Sequence, residues 1–447
     1  MSRKKEEKNQ ENGRTERGGK KEIILYKMDA VHHIPAMTNH TSAMAYHVPA
    51  MLKETIEGLA VKPGGVYVDV TFGGGGHSRA IFGRMDANVQ RDDVRCTKEG
   101  GHSRAILGRM DANVQRDDVR CTKEGGHLYS FDQDIEAYEN VQRDDVRCTK
   151  ERGHLYSFDQ DIEAYENARK IQTPPQPSPQ GEGDGSKNGE VPTLADNPNW
   201  TFVHSNFRYL KNWMDYYGVK EIDGLLADLG VSFHHFDSPE RGFSFRFSAP
   251  LDMRMNQKAK RTAADIVNSY SEEELARIFW LYGEMKNSRQ IARAIIKARA
   301  RKAIERTEEL IENLTPTLSS REGGIHILEN GEIEVPAQYK KDLARLFQAL
   351  RIEVNDEMGA LREMLVAARD LLKPGGRIAI LTYHSLEDRL VKNFLRSGNL
   401  EGTIEKDFYG NIVTPFKVIE KGREASAEEV ERNPRSRSAK LRVAERR

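Results

Sequence analysis

The chain is predicted to fold as an α/β protein on a mostly parallel, nucleotide-binding type of sheet, with a helical domain inserted into it. Three observations carry this. Val66-Tyr67-Val68-Asp69 is an apolar run that ends in an acid, and Gly73-Gly74-Gly75-Gly76 and the helix-forming Ser78-Arg79-Ala80-Ile81 follow it. That order is strand, glycine turn, helix, the opening unit of a Rossmann-like sheet. Acids stand again at the ends of later apolar runs, at Asp159 and Asp228, on the edge where open α/β sheets bind ligands. From about residue 236 to 342 the apolar spacing turns helical, and strand-like runs resume only afterwards.

Glycine is suited to the first turn because it bends without a Cβ clash and lets a ligand approach the backbone. The helix start behind it offers unpaired N–H groups to polar ligand atoms. Composition bounds the rest. The 447 residues carry 69 basic and 69 acidic side chains, so net charge is zero and nucleic-acid binding must come from local patches. Hydrophobic residues are 38% and charged ones 31%, a core diluted by disordered segments. No apolar run reaches about 18 residues and Met1–Lys21 lacks an apolar signal region, so a soluble cytoplasmic protein is expected. Cys96, Cys121 and Cys148 stand at equivalent positions of a repeat with no CxxC pairing, which argues against a disulfide framework and a zinc site. No metal is expected.

In chain order, residues 1–44 read as a disordered polar leader, and a helix over Met51–Leu59 ends at Lys62-Pro63-Gly64-Gly65. Residues 45–235 form the first part of the core, interrupted by a duplicated insert at 83–152 and a Pro/Gly/Ser linker at 173–199. Gly75–Glu99 recurs as Gly100–Glu124 with one change, Phe82 to Leu107, and Gly126–Asn140 recurs as Gly153–Asn167. Copies this similar, without a packing pattern, indicate recent duplication or a gene-model error and not a solenoid. The second strand is thus present twice, ending at Asp132 and at Asp159; Asp159 is favoured because a helix over Ile162–Ile171 follows it. An acid there accepts hydrogen bonds from ribose hydroxyls.

Trp200–Phe207 reads as the third strand and its loop, and Ile222–Gly230 as the fourth. Residues 236–342 are the inserted helical domain, expected to recognise the substrate, with helices around Ala263–Asn268, Glu272–Tyr282 and Ser288–Leu314 and a low-complexity loop at 315–335. Its Arg and Lys side chains are by default a solvated face, with an RNA-facing surface as the alternative. Residues 343–447 complete the core: one or two helices over Leu343–Leu372, a strand at Arg377–His384, a helix over Arg389–Leu395 capped by Ser385, and closing strands at Phe416–Ile419 and Ala439–Ala444.

Several phrases go beyond a generic sheet. They are Asp69-Val70-Thr71-Phe72-Gly73-Gly74-Gly75-Gly76-His77-Ser78, Ala227-Asp228-Leu229-Gly230-Val231-Ser232, Arg241-Gly242-Phe243-Ser244-Phe245-Arg246, Pro250-Leu251-Asp252-Met253-Arg254-Met255, Leu350–Glu357, His384-Ser385-Leu386-Glu387-Asp388-Arg389 and Asn433–Ser438. In this order they resemble the bacterial 16S ribosomal RNA cytosine-N4 methyltransferases of the MraW or RsmH type, over roughly residues 45–82, 153–172 and 200–447. The resemblance implies a class I S-adenosylmethionine-dependent methyltransferase with a seven-stranded sheet. It implies S-adenosylmethionine as cofactor, 16S rRNA and the small ribosomal subunit as partners, and no membrane or DNA; a homodimer is compatible with it. Cofactor contacts then fall on Gly75, Gly76, His77, Asp159, Phe207, Asp228 and His235. The family usually has Gln where His235 stands, and Asp where Asn256 stands.

Cytosine N4 is a poor nucleophile because its lone pair is delocalised, so a hydrogen-bond acceptor near it assists transfer. Asp228, at the tip of the fourth strand, and His384, at the tip of the fifth, are the candidate catalytic residues. An Asx turn at Asp228 and a helix cap at His384 are the bland alternatives. Glu387 and Asp388 sit in a first helical turn, where acids are favoured anyway. Arg246, Arg254, Arg351, Arg435 and Arg437 are candidate phosphate contacts. Two other functions compete: an RNA-binding assembly protein whose cofactor site the duplication has impaired, and a dinucleotide oxidoreductase. The second is weak, because Gly73-Gly74-Gly75-Gly76-His77-Ser78 lacks the spaced G-x-G-x-x-G fingerprint.

Overall fold

The computed structural model describes residues 49–85, 153–169, 197–231, 238–318 and 325–447. The leader, Asp132, the three cysteines, most of the duplicated and linker stretches, and His235 lie outside them.

Helix α1 (Leu52–Leu59) ends where Ala60 turns left-handed, with φ 51°. Strand β1 (Val66–Asp69) follows, then the glycine loop and helix α2 (residues 76–85). Next come β2 (His154–Asp159), α3 (Ile162–Ala168), β3 (Trp200–His204), α4 (Leu210–Tyr216) and β4 (Ile222–Asp228). The inserted domain contributes α5 (Ala263–Ser269), α6 (Glu272–Leu281), α7 (Ser288–Arg299) and α8 (Thr307–Leu318). Then α9 (Ala337–Asn355) and α10 (Glu357–Leu371) lead to β5 (Leu372–Thr382), α11 (Ser385–Ser397), β6 (Phe416–Glu424), α12 (Ala427–Arg432) and β7 (Lys440–Arg446).

The main sheet has the order β6-β7-β5-β4-β1-β2-β3. Strands β1 to β5 are parallel, and β7 runs antiparallel between β5 and β6. Strand β2 pairs with β1 in register Val66↔His154 through Asp69↔Ser157. The copy of the second strand that enters the sheet is therefore the one ending at Asp159. The central strands are apolar on both faces because helices cover both, as parallel sheets require; Val68, Leu155, Phe158, Leu225, Leu226, Ile378 and Ile380 are fully buried.

A second apolar core lies in the inserted domain, built on Leu275, Ile278 and Phe279 of α6, Ile291 and Ile295 of α7, and Leu310 and Leu314 of α8. It runs past residue 342, since Leu343, Leu346, Leu350 and Val354 of α9 belong to it. The long helical stretch breaks at Asp356, whose φ of 46° separates α9 from α10. Two expectations need correction. The helix over Ser288–Leu314 is two helices, parted at residues 300–306. The 315–335 segment is not all loop: α8 extends to Leu318, and His326–Ile327 pairs with Ile333–Glu334 as a short hairpin. Glu332 and Asn330 shape that turn locally, a signal that composition does not carry.

Candidate functional site

A cavity of about 350 Å³ opens at the carboxyl edge of the sheet. It is lined by Gly73, Gly76 and His77 after β1, Asp159 and Gln160 after β2, Asn206 and Phe207 after β3, and Asp228 to Val231 after β4. From the far side come Arg351, Asn355, Glu357, Tyr383, His384, Glu387, Arg435 and Ser438. The sequence-predicted Gly76, His77, Asp159, Phe207, Asp228 and His384 thus converge. Gly75 does not line the cavity: it turns the loop, with φ 70°, donating its N–H to Phe72 O at 2.7 Å.

Asp69 holds both ends of the glycine loop. Its Oδ1 accepts the Thr71 N–H at 3.1 Å and its Oδ2 accepts the Ser78 hydroxyl at 2.6 Å. Burial pushes its carboxyl up to about 7, against the pull of these hydrogen bonds. Asp159 Oδ2 accepts the Gly73 N–H at 2.8 Å and Oδ1 accepts the Asp161 N–H at 3.0 Å. Burial, aided by the neighbouring Asp161 charge, lifts it also to about 7. At Gly76 the backbone packs so closely that an added Cβ would stand 2.7 Å from Pro49 Cγ. Phe207 opens a short 3₁₀ turn fixed by Asn206, whose side chain accepts the Arg208 N–H.

Asp228 is the most constrained of the group. Its backbone N–H donates to Thr71 Oγ1 at 2.6 Å, and its Oδ1 accepts the Tyr383 hydroxyl at 2.6 Å. His77 Nδ1 lies 3.6 Å from Asp228 Oδ2. An ion pair would need a protonated ring, yet burial lowers His77 to about 4. The ring is therefore neutral at neutral pH. Its Nε2 faces the Ala50 carbonyl at 3.2 Å, which only accepts, so Nε2 carries the proton and Nδ1 a lone pair. Two acceptors, His77 Nδ1 and Asp228 Oδ2, thus face each other, an arrangement that suits a donor N–H brought beside them.

His384 caps α11: its Nδ1 accepts the Glu387 N–H at 3.4 Å, and Glu387 Oε2 accepts the Tyr383 N–H at 2.9 Å in return. Burial alone would raise Glu387, but His384 and these donors hold its carboxyl below the usual range. Glu357, His384 and Glu387 lie close enough for a metal, yet two of the three are already engaged. His384 Nδ1 is used by the cap, so Nε2 bears a proton, and the Arg351 guanidinium binds Glu357 at 2.7 and 2.9 Å.

The same geometry corrects two phosphate candidates. Arg351 is buried and bound to Glu357. Arg254 is taken by Asp252, at 2.8 and 2.7 Å, and by the Ala259 carbonyl. Asp388 has a structural partner, since Arg442 donates to it at 2.7 and 3.1 Å and ties α11 to β7. Arg435 and Arg437 are exposed, on the 3₁₀ turn Pro434–Ser438. Thr71, Tyr383 and Asn355 escaped the sequence reading. Asn355 Oδ1 accepts the Met255 N–H at 2.8 Å and its Nδ2 donates to Met253 O at 2.8 Å, which fixes the inserted phrase against α9. Only the acid-and-glycine rhythm of the strand tips is visible without coordinates.

The strand order, the glycine loop after β1 and the acids ending β2 and β4 define a class I methyltransferase. The profile of the MraW methylase family matches residues 44–95 and 190–447, and the chain belongs to that family. It is 45% identical over 403 residues to the ribosomal RNA small subunit methyltransferase H of Phocaeicola vulgatus, covering 90% of this chain and 98% of the relative. The protein of the same name from Bacteroides thetaiotaomicron is 44% identical with the same coverage. That of Cytophaga hutchinsonii is 39% identical over 401 residues, with 90% and 99% covered.

Proposed function

We propose that this chain transfers the methyl group of S-adenosylmethionine to the N4 amine of a cytidine in 16S ribosomal RNA, acting on the small ribosomal subunit in the cytoplasm. The names of its relatives support the substrate. The observation that carries the chemistry is the Asp228 carboxylate, held by the Tyr383 hydroxyl on a backbone that Thr71 fixes, beside a neutral His77.

The residues present fit the cofactor. The cavity has the volume of a small-ligand site, and Gly76 brings backbone to its wall where a side chain would not fit. Asp159 would accept from ribose hydroxyls, Phe207 would lie against the adenine, and the loop at Gly73, Gly76 and His77 would surround the amino-acid end. When bound, S-adenosylmethionine supplies an electrophilic methyl carbon on a cationic sulfur.

The work of the chain is then positioning and proton handling. Asp228 accepts a hydrogen bond from the N4 amine, which lets the nitrogen pyramidalise toward the methyl carbon. As the N4–carbon bond forms and the methyl carbon's bond to sulfur breaks, leaving a neutral thioether, one N4 proton would pass to Asp228 and on to solvent. Tyr383 keeps that carboxylate in one rotamer, and His77 Nδ1 offers a second acceptor. His384, at the far wall, contacts the RNA side of the pocket. The test is incubation with radiolabelled S-adenosylmethionine and small subunits that lack the modification; absence of label in 16S RNA overturns the proposal.

A further inference from the structure

A second groove, of about 990 Å³, lies on the inserted domain between α6 and α7. Its walls carry Arg277, Lys286, Arg289 and Arg293 against Glu272 and Glu273, with the indole of Trp280 between them. Trp280 is 58% exposed. A bare indole on a surface is costly, because its apolar area remains in water. Arg277 and Trp280 are three residues apart and share a face of α6.

The opposite wall is more one-sided. Helix α7 reads Ser-Arg-Gln-Ile-Ala-Arg-Ala-Ile-Ile-Lys-Ala-Arg and contains no acid. Its buried face is Ile291, Ala292, Ile295 and Ala298. Arg289, Arg293 and Lys297 recur every fourth residue on the exposed face. Arg293 donates to Glu272 at 2.8 Å, but unlike the largely buried Arg351–Glu357 pair this one is exposed and contributes little, so a phosphate can displace it. Among the described residues neither Lys286 nor Arg289 has an ion-pair partner. In a chain of zero net charge, this is the kind of local basic patch that binding to a polyanion requires.

A chain of contacts leads from the groove toward the first cavity. Glu284, two residues before Lys286, accepts the Ser385 hydroxyl at 2.9 Å and faces Arg389 at 3.3 Å. Ser385 follows His384, which lines the catalytic cavity. A strand leaving that cavity past His384 meets the loop that opens the groove.

We propose that this groove holds a single-stranded segment of the RNA flanking the target nucleotide, with a base stacked on Trp280 and phosphates on Lys286, Arg289 and Arg293. The inference rests on RNA being the substrate. Cations along a groove combined with an aromatic platform are how single strands are bound with little sequence preference.

The test uses the full chain and a fluorescein-labelled, mixed-sequence single-stranded RNA of about 20 nucleotides, with anisotropy read across a salt series. Arg289→Glu with Arg293→Glu is expected to weaken binding at least tenfold. It should also flatten the slope of log affinity against log salt by about 1.4, roughly 0.7 for each lost phosphate contact. Trp280→Ala is expected to weaken binding roughly 5- to 100-fold with the slope unchanged, and Trp280→Phe to restore most of it. Calorimetric affinity for S-adenosylmethionine should be the same in every variant. If the charge-reversed protein melts early, Arg289→Gln with Arg293→Gln is read in its place. Wild-type RNA affinity in both the Trp280→Ala and the charge variants overturns the groove. So does unchanged RNA affinity with lost methylation of small subunits, which assigns the groove to a protein contact. A wild-type chain that binds RNA through this groove but transfers no methyl group overturns the enzymatic reading and leaves the groove standing.

Discussion

The Tyr383 hydroxyl donates to Asp228 Oδ1 at 2.6 Å across the tips of β5 and β4. Burial, together with the Asp228 charge, raises the phenol well above its ordinary value, so it remains a donor throughout the physiological range. A hydrogen bond to a charged group contributes about 1.5–3 kcal/mol. Tyr383→Phe keeps the ring and removes only this bond. We expect kcat/KM for methyl transfer to fall roughly 10- to 100-fold. Steady-state kinetics of the variant check this; an unchanged kcat/KM would make Tyr383 a packing residue only.

The two carboxyls raised to about 7 give the cofactor step a pH dependence. Asp159 and Asp69 are buried, and burial is the first cause of each shift. Below about pH 7 they hold protons in the ligand-free protein; a bound cation nearby favours both ionised forms, and ribose hydroxyls favour that of Asp159, which lines the cavity. Binding should therefore release protons, and affinity should rise with pH up to about 7 and level off above it. The limit is about tenfold per pH unit for each carboxyl that must ionise. Asp159→Asn should weaken binding and reduce the slope. Calorimetry in two buffers of unlike ionisation enthalpy counts the protons, and an affinity that ignores pH between about 5.5 and 8 would refute the linkage.

Much of this architecture is legible in the sequence for a physical reason. Buried parallel strands are short apolar runs, and their ligand-side ends are marked by Asp69, Asp159 and Asp228 with adjacent glycines or turns. What stays hidden depends on partners far away in the chain. Tyr383 meets Asp228 from 155 residues away, and Asn355 reaches Met255 across 100. Arg254 and Arg351 look like phosphate ligands until Asp252 and Glu357 are seen to hold them. His384 shows the converse: helix capping, the bland reading, and a place on the cavity wall turn out to coexist.

Gly242 tests how the inserted domain docks. Its φ is 68°, and a Cβ there would stand 2.2 Å from the Pro250 carbonyl oxygen. The neighbouring Arg241 is buried and donates to the carbonyls of Arg254 and Met255 at 2.9 and 3.1 Å. Gly242→Ala must both strain the left-handed backbone and displace a main-chain carbonyl. A loss of about 2–4 kcal/mol is expected, read as a lower midpoint in urea denaturation. A shift under about 0.5 kcal/mol would show that the turn relaxes freely.

Helix α2 is described as far as Met85, whose terminal methyl lies 2.6 Å from where a Cβ on Gly153 would stand. The next residue, His154, opens β2 and donates its N–H to Gly65 O at 3.3 Å. The two ends that residues 86–152 connect are therefore adjacent, and a short αβ loop spans them without strain. Joining Asn88 directly to Glu151 removes every copy of the repeated phrase except the final Glu151, together with Asp132, Cys96, Cys121 and Cys148. It leaves Asp159 and the glycine loop untouched. Closing the shorter loop costs about 2 kcal/mol less. The shortened chain is expected to melt no lower than the full chain and to bind S-adenosylmethionine with the same affinity, measured by calorimetry. Lost cofactor binding with an intact melting transition would mean that the repeats contribute to the site.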